Sequence, residues 1–198
     1  ILIQAEFIRL YADVDQAKKM LSSSLNKKPN ADLYLAFSNC EESKEEKEFW
    51  INKALGLSGL AAISFTGENE RPLYDRLSCT NVTKSDLCMN DLFRLVTVIV
   101  PCYNAASTIV STLNSILSQT YSMLEVLVVD DCSTDESVKI VSEYEKKDHK
   151  IKLIKLNSNG GPYIARNTAL KVARGEFVTS NDADDWSHPQ KIEIQVKH

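Results

Sequence analysis

The chain has 198 residues, 43% of them hydrophobic, and a formal net charge of −4. That is enough to bury the core of one medium domain, with or without a small appendage. A mildly acidic, evenly spread charge points away from nucleic acid as a partner and leaves small anionic ligands open. The longest apolar stretch, ALGLSGLAAISF (54–65), is far short of the roughly 20 residues a membrane span needs.

The chain opens on ILIQAEFIRL, without a basic lead or signal-like core. It is therefore expected to be soluble and an excerpt of a longer protein. Residues 1–56 read as helical. DQAKKMLSSSL (15–25) and EEKEFWINKAL (45–55) overlay at a spacing of ~30 residues, with Lys28-Pro29-Asn30 between them. The overlay hints at helical-hairpin repeats of the tetratricopeptide kind, or at an ordinary helical appendage. EESKEEKE (41–48) reads as a solvated helix face. Residues 57–94 read as an irregular connector, with a short strand near AAISF.

The texture changes at Leu95. VTVIVPCY (96–103) and LEVLVVDD (124–131) are apolar on both faces, as central parallel strands are. IKLIKL (151–156) and EFVTSN (176–181) supply two more strands. Helices are expected between them. Asn104 is a candidate cap for the first, and Ser133 with Glu136 has capping-box spacing for the second. Pro162 suits the first position of the third, which Gly175 would end. Pro189 would open a last helix. Alternation of this kind implies a Rossmann-like α/β fold with right-handed crossovers. Ligands bind such sheets beyond the carboxyl ends of the strands. Every notable polar cluster falls there: Pro101 to Asn104, Asp130-Asp131, Asn159-Gly160-Gly161, and Asp182 to Asp185.

Three carboxylates within VTSNDADDW (178–186) repel one another unless something positive sits beside them. Oxygen-rich clusters suit Mg²⁺ or Mn²⁺. On an extended segment Asp182 and Asp184 would share one side and Asp185 take the other. An acidic loop or a helix cap is the plainer reading. Tyr103 could stack on a base or pack at the rim. The Asp130-Asp131 pair could offer a carboxylate to a base N–H or merely end a strand. Arg166 could clasp phosphate or pair with a nearby acid. His188 reads as an exposed turn residue. Five cysteines (Cys40, Cys79, Cys88, Cys102, Cys132) fit neither a disulfide framework nor a zinc site, and a reducing compartment is expected.

Taken together, residues 96–121, 124–137 and 159–186 resemble the nucleotide-sugar-binding half of family-2 glycosyltransferases of GT-A fold. The resemblance covers about residues 95–198. It implies a nucleoside-diphosphate-sugar donor, most often a UDP-sugar, and a saccharide or lipid-linked acceptor. Pro101 and Tyr103 would contact base and ribose, Asp131 the uracil N3–H, and Arg166 would lie near the donor. Asp182, Ala183 and Asp184 would be the D-x-D motif, with Asp184 on Mn²⁺ or Mg²⁺ and Asp182 near ribose or sugar hydroxyls. Transfer would invert the anomeric centre. The general base is expected beyond His198, so no catalytic base is assigned in this chain, and donor binding without efficient transfer is expected of it. The implied setting is cytoplasmic, peripheral at the inner face of the cell membrane, in polysaccharide assembly. Two other readings are a receiver-like phosphoacceptor domain and a non-catalytic scaffold that engages a protein partner through the N-terminal helices.

Overall fold

The computed structural model describes residues 2–67, 72–79, 82 and 94–198. Cys88 and much of the expected 57–94 connector lie outside the described residues. The chain divides into two compact units, Ile1–Val82 and Thr83–His198.

The first unit holds helices α1 (Leu2–Tyr11), α2 (Val14–Leu25), α3 (Ala31–Asn39) and α4 (Lys44–Leu57). Short polar side chains start three of them. Asp13 accepts from the Asp15 N–H, Asn30 from Leu33, and Ser43 from Glu46. The helices pack in sequence pairs around Ala5, Ala17, Leu21, Leu33 and Phe37. The 41–48 run is more than a solvated face. Glu41 is buried and accepts from Lys18 Nζ at 2.6 Å and Trp50 Nε1 at 3.2 Å, while Glu48 accepts from the Phe65 N–H. The described part of the connector contains regular structure. Strands β1 (Ile63–Phe65) and β2 (Leu77–Cys79) pair antiparallel, with a 3₁₀ turn at Leu73–Arg76.

The second unit is an α/β layer structure. Strands β3 (Val96–Cys102), β4 (Leu124–Asp130), β5 (Ile151–Lys155) and β6 (Phe177–Ser180) form one parallel sheet in the order β5-β4-β3-β6. β4 is buried along its whole length and β3 nearly so. Alternate residues feed two cores. Val98 and Val100 face α5 (Ile109–Leu117) and α6 (Ser137–Lys147), whereas Ile99, Leu127 and Val129 face α7 (Pro162–Leu170). Helix α8 (Lys191–Lys197) joins the first core through Ile192. The chain winds outward from β3 to β5, then returns to β6 on the other side of β3. That reversal opens a crevice beyond the ends of β3 and β6.

Several helix boundaries differ from expectation. Helix α5 begins at Ile109, not beside Asn104. Helix α6 follows Glu136, and its Ser137 N–H is taken by Asp135, so Ser133 and Glu136 form no capping box. Helix α7 does start at Pro162 but ends at Leu170, five residues before Gly175. Pro189 precedes α8 by two residues. Its carbonyl instead accepts from the Thr120 N–H and hydroxyl.

Candidate nucleotide-sugar site

The wall after β3 is held by hydrogen bonds between two loops. Asn104 sits at φ 48°, the left-handed region that asparagine tolerates better than most residues. Its N–H donates to Ser133 Oγ at 2.9 Å, and its Oδ1 accepts from the Thr134 N–H at 2.8 Å. The Ala105 N–H donates to Ser137 Oγ, and the Ala106 N–H to Asp135 Oδ2. Asn104 and Ser133 therefore spend their side chains across the gap between loops rather than on helix ends. The Ser137 hydroxyl and backbone N–H donors hold the Asp135 carboxyl below its ordinary range. This lacing fixes the segment that presents Tyr103, which is 52% exposed at the rim.

Asp131 follows β4 and is almost wholly buried. Its two oxygens accept from the Gly160 and Gly161 N–H groups, each at 2.7 Å. Gly161 has φ 83°, and a Cβ on Gly160 would lie 2.9 Å from Ile164 side-chain carbons. Glycine at both places lets the turn reach the carboxylate. A carboxylate has about four acceptor sites, so Asp131 retains acceptor capacity towards the cavity. Asp130 is different: it is buried, accepts from the Ser133 N–H, and does not line the cavity. Beside it, burial foremost pushes the Cys102 thiol up to about 11, so it stays a neutral apolar filler.

The acidic cluster is a turn, not an extended strand: the Asp185 N–H donates to the Asp182 carbonyl at 3.1 Å. Buried Asn181 braces it, donating from Nδ2 to the Asp182 and Asp185 carbonyls. Its Oδ1 accepts from the Ser187 hydroxyl and from Lys191 Nζ. Ala183 is buried, and its carbonyl accepts from both Thr108 and Thr112 hydroxyls. Asp182 and Asp184 nevertheless share the cavity side, and Asp185 does not line it. Arg166 answers part of the repulsion, with Nη2 2.5 Å from Asp182 Oδ1 and Nε donating to Ser180 Oγ. His188 is half-buried rather than exposed. Its Nδ1 accepts from the Gln190 N–H, and its carbonyl from Gln119 Nε2.

Pro101, Tyr103, Asp131, Arg166, Asp182, Ala183 and Asp184 all line one open cavity of about 620 Å³. They come from the ends of β3, β4 and β6 and from α7. Asn104, Ser107, Thr108, Asn159 and Gly161 line it too. Of these, Ser107 and Thr108 were hidden inside the expected helix. A β3 end followed by an αL-tolerant Asn was the signal that the chain had further to travel before turning helical. Among the described residues, no group of three or more His, Cys, Asp or Glu side chains is placed to hold a metal ion. One carboxylate plus ligand oxygens suffices for Mg²⁺ or Mn²⁺, and Asp184, exposed beside the Asp182–Arg166 pair, fits that lesser demand.

A family model described as glycosyl transferase family 2 matches residues 97–198. Over 102 residues the chain is 41% identical to the UDP-Glc:alpha-D-GlcNAc-diphosphoundecaprenol beta-1,3-glucosyltransferase WfaP of Escherichia coli, covering 52% of this chain and 40% of that protein. It is 45% identical over 98 residues to the poly(ribitol-phosphate) beta-N-acetylglucosaminyltransferase TarS of Staphylococcus aureus, covering 48% of this chain and 17% of that protein. A solved mannosyltransferase of Pyrobaculum calidifontis, in complex with GDP-Man and Mn²⁺, superposes with a TM-score of 0.50 at 38% identity, over 52% of this chain and 32% of that one. The chain thus spans less than half the length of these relatives. The chain belongs to glycosyl transferase family 2, and its α/β unit has the GT-A type of fold.

Proposed function

We propose that the cavity is the donor site of an inverting glycosyltransferase that uses a UDP-sugar with a saccharide or lipid-linked acceptor. The observation that carries this reading is the convergence of seven chemically suited residues from separate elements on one cavity at the sheet's switch point. Pro101 and the Tyr103 ring would hold the base, and Asp131 would accept from the uracil N3–H. Asp182 would meet ribose or sugar hydroxyls, oriented by Arg166, whose charge also faces the diphosphate. The small Ala183 keeps the turn's backbone close to the donor. Asp184 would hold Mn²⁺ or Mg²⁺. When bound, that metal supplies Lewis-acid stabilisation of the charge on the departing diphosphate.

The names of the relatives support a nucleotide sugar, that of WfaP a UDP-sugar where the Pyrobaculum enzyme holds GDP-Man, and those of WfaP and TarS support lipid-linked or polymer acceptors. Such acceptors fit work at the cytoplasmic face of a membrane. Among the described residues no helix is long and apolar enough to cross one. A general base for the acceptor hydroxyl is assigned to none of these residues. The 198-residue chain by itself is accordingly expected to bind donor without transferring sugar at an appreciable rate.

Titration calorimetry tests the base pocket. UDP should bind more tightly than GDP or CDP, and Asp131→Ala and Tyr103→Ala should each weaken UDP about tenfold or more, as loss of one good hydrogen bond or base stack does. Equal affinity for all three nucleotides, unchanged in both variants, would refute the assignment.

A further inference from the structure

The first unit carries an apolar stripe that neither its own core nor the donor site uses. On α1, Ile3, Phe7, Leu10 and Tyr11 are 87%, 63%, 56% and 74% exposed. They fall at helical spacing on one face, and the Phe7 and Tyr11 rings lie 5.0 Å apart on the surface.

The internal repeat says what such a face is for. An offset of 30 residues superposes α2 on α4, since Asp15 meets Glu45. The same offset carries Ile3 onto Leu33, Phe7 onto Phe37, Leu10 onto Cys40 and Tyr11 onto Glu41. Those four are buried, at 5%, 8%, 5% and 8% exposed. Leu33, Phe37 and Cys40 share one cluster with Ala5, Ala17 and Leu21, so α3 seats on the α1–α2 pair through that face. The stripe on α1 is the same face, one repeat earlier, and no described residue is seated on it. End repeats of such arrays need a polar outer face, and this one is apolar.

We propose that the α1 stripe is the docking face for a further helix pair of the α1–α2 kind, set in tandem ahead of α1. Its occupant presents small and aliphatic side chains at the positions of Ala5, Ala17 and Leu21. A membrane surface fits less well. Interfacial helices are rich in Lys and Arg, whereas α1 has only Arg9, which is paired with Glu6 at 2.5 Å. A second copy of the chain meeting stripe to stripe would engage four side chains, against the roughly 20–30 residues a side of a stable interface.

The test fuses a second copy of residues 1–30 ahead of Ile1 in the full chain. Hydrogen exchange in the original α1 should slow about tenfold or more, and melting of the helical unit should rise by about 4–8 °C. Adding Phe7→Glu and Leu10→Lys to the original α1 should remove both gains. In the unfused chain these exposed substitutions should leave melting almost unchanged, which separates loss of docking from misfolding. A fused copy that slows no exchange and raises no melting temperature overturns the proposal. So does concentration-dependent dimerisation of the unfused chain that Phe7→Glu abolishes, because the occupant would then be a second copy.

Discussion

A methyl group on Gly175 would lie 2.5 Å from the Thr97 backbone nitrogen and 2.6 Å from the Phe177 carbonyl oxygen. Glycine is required there by close approach of chain segments, not by a helix stop. Gly175→Ala should lower the stability of the α/β unit by about 1–3 kcal/mol, the usual cost of overpacking, read as a lower urea midpoint at unchanged slope. Next to it, Glu125 accepts from the Thr97 hydroxyl at 2.6 Å and from the Arg174 N–H and Nε at 2.6 and 2.8 Å. Burial pushes the Glu125 carboxyl up, but hydrogen bonds from Thr97 and Arg174, with the Arg174 charge, outweigh it and hold the group below its ordinary value. A depressed folded pKa means stabilisation that is present above the unfolded value of about 4.3 and lost as pH falls through the folded one. Glu125→Gln should therefore lower stability at neutral pH and flatten its fall on acidification below about pH 5. Urea titrations at stepped pH check both.

Among the elements, what was legible was what local chemistry decides. β3 and β4 were readable because seven consecutive positions in each are almost all buried, and burial on both faces writes a continuous apolar run. Pro162 was readable because its fixed φ suits a helix start wherever it occurs. The errors came where tertiary contacts recruit a residue that also has a local use. Asn104 and Ser133 look like caps but bond across two loops, and Glu41 looks solvated but neutralises Lys18 inside the helical unit. The cavity residues at strand ends are legible because apolar runs stop there in polar clusters, whereas Ser107 and Thr108 are not, since they fall inside the expected helix; the Asp182–Arg166 pair is one of two open readings, since nothing in the spacing of 166 and 182 says how α7 and β6 meet. Ser137 offers a test at this scale, because it does not line the cavity yet holds the Tyr103 segment. Ser137→Ala leaves the Ala105 N–H without its acceptor, a loss of about 1–3 kcal/mol. Amide exchange at residues 103–106 should quicken, and UDP affinity should fall with it. Unchanged exchange would mean that the loop is held by other contacts.

At the scale of the whole molecule, a four-stranded parallel sheet collects the cavity residues from segments that span residues 101–184 of the sequence. Asp184 and a nucleotide diphosphate are proposed to hold a divalent cation there together. Thermal unfolding of the full chain with UDP and Mn²⁺, separately and together, tests it most directly, with Asp184→Ala as the control. UDP with Mn²⁺ at 100 times the dissociation constant should add about 2.7 kcal/mol to the stability of the α/β unit. UDP alone should add less, and Asp184→Ala should erase the difference that Mn²⁺ makes. A cooperative melt that UDP and Mn²⁺ together leave unmoved, or a metal effect that survives in Asp184→Ala, would rule out this metal site.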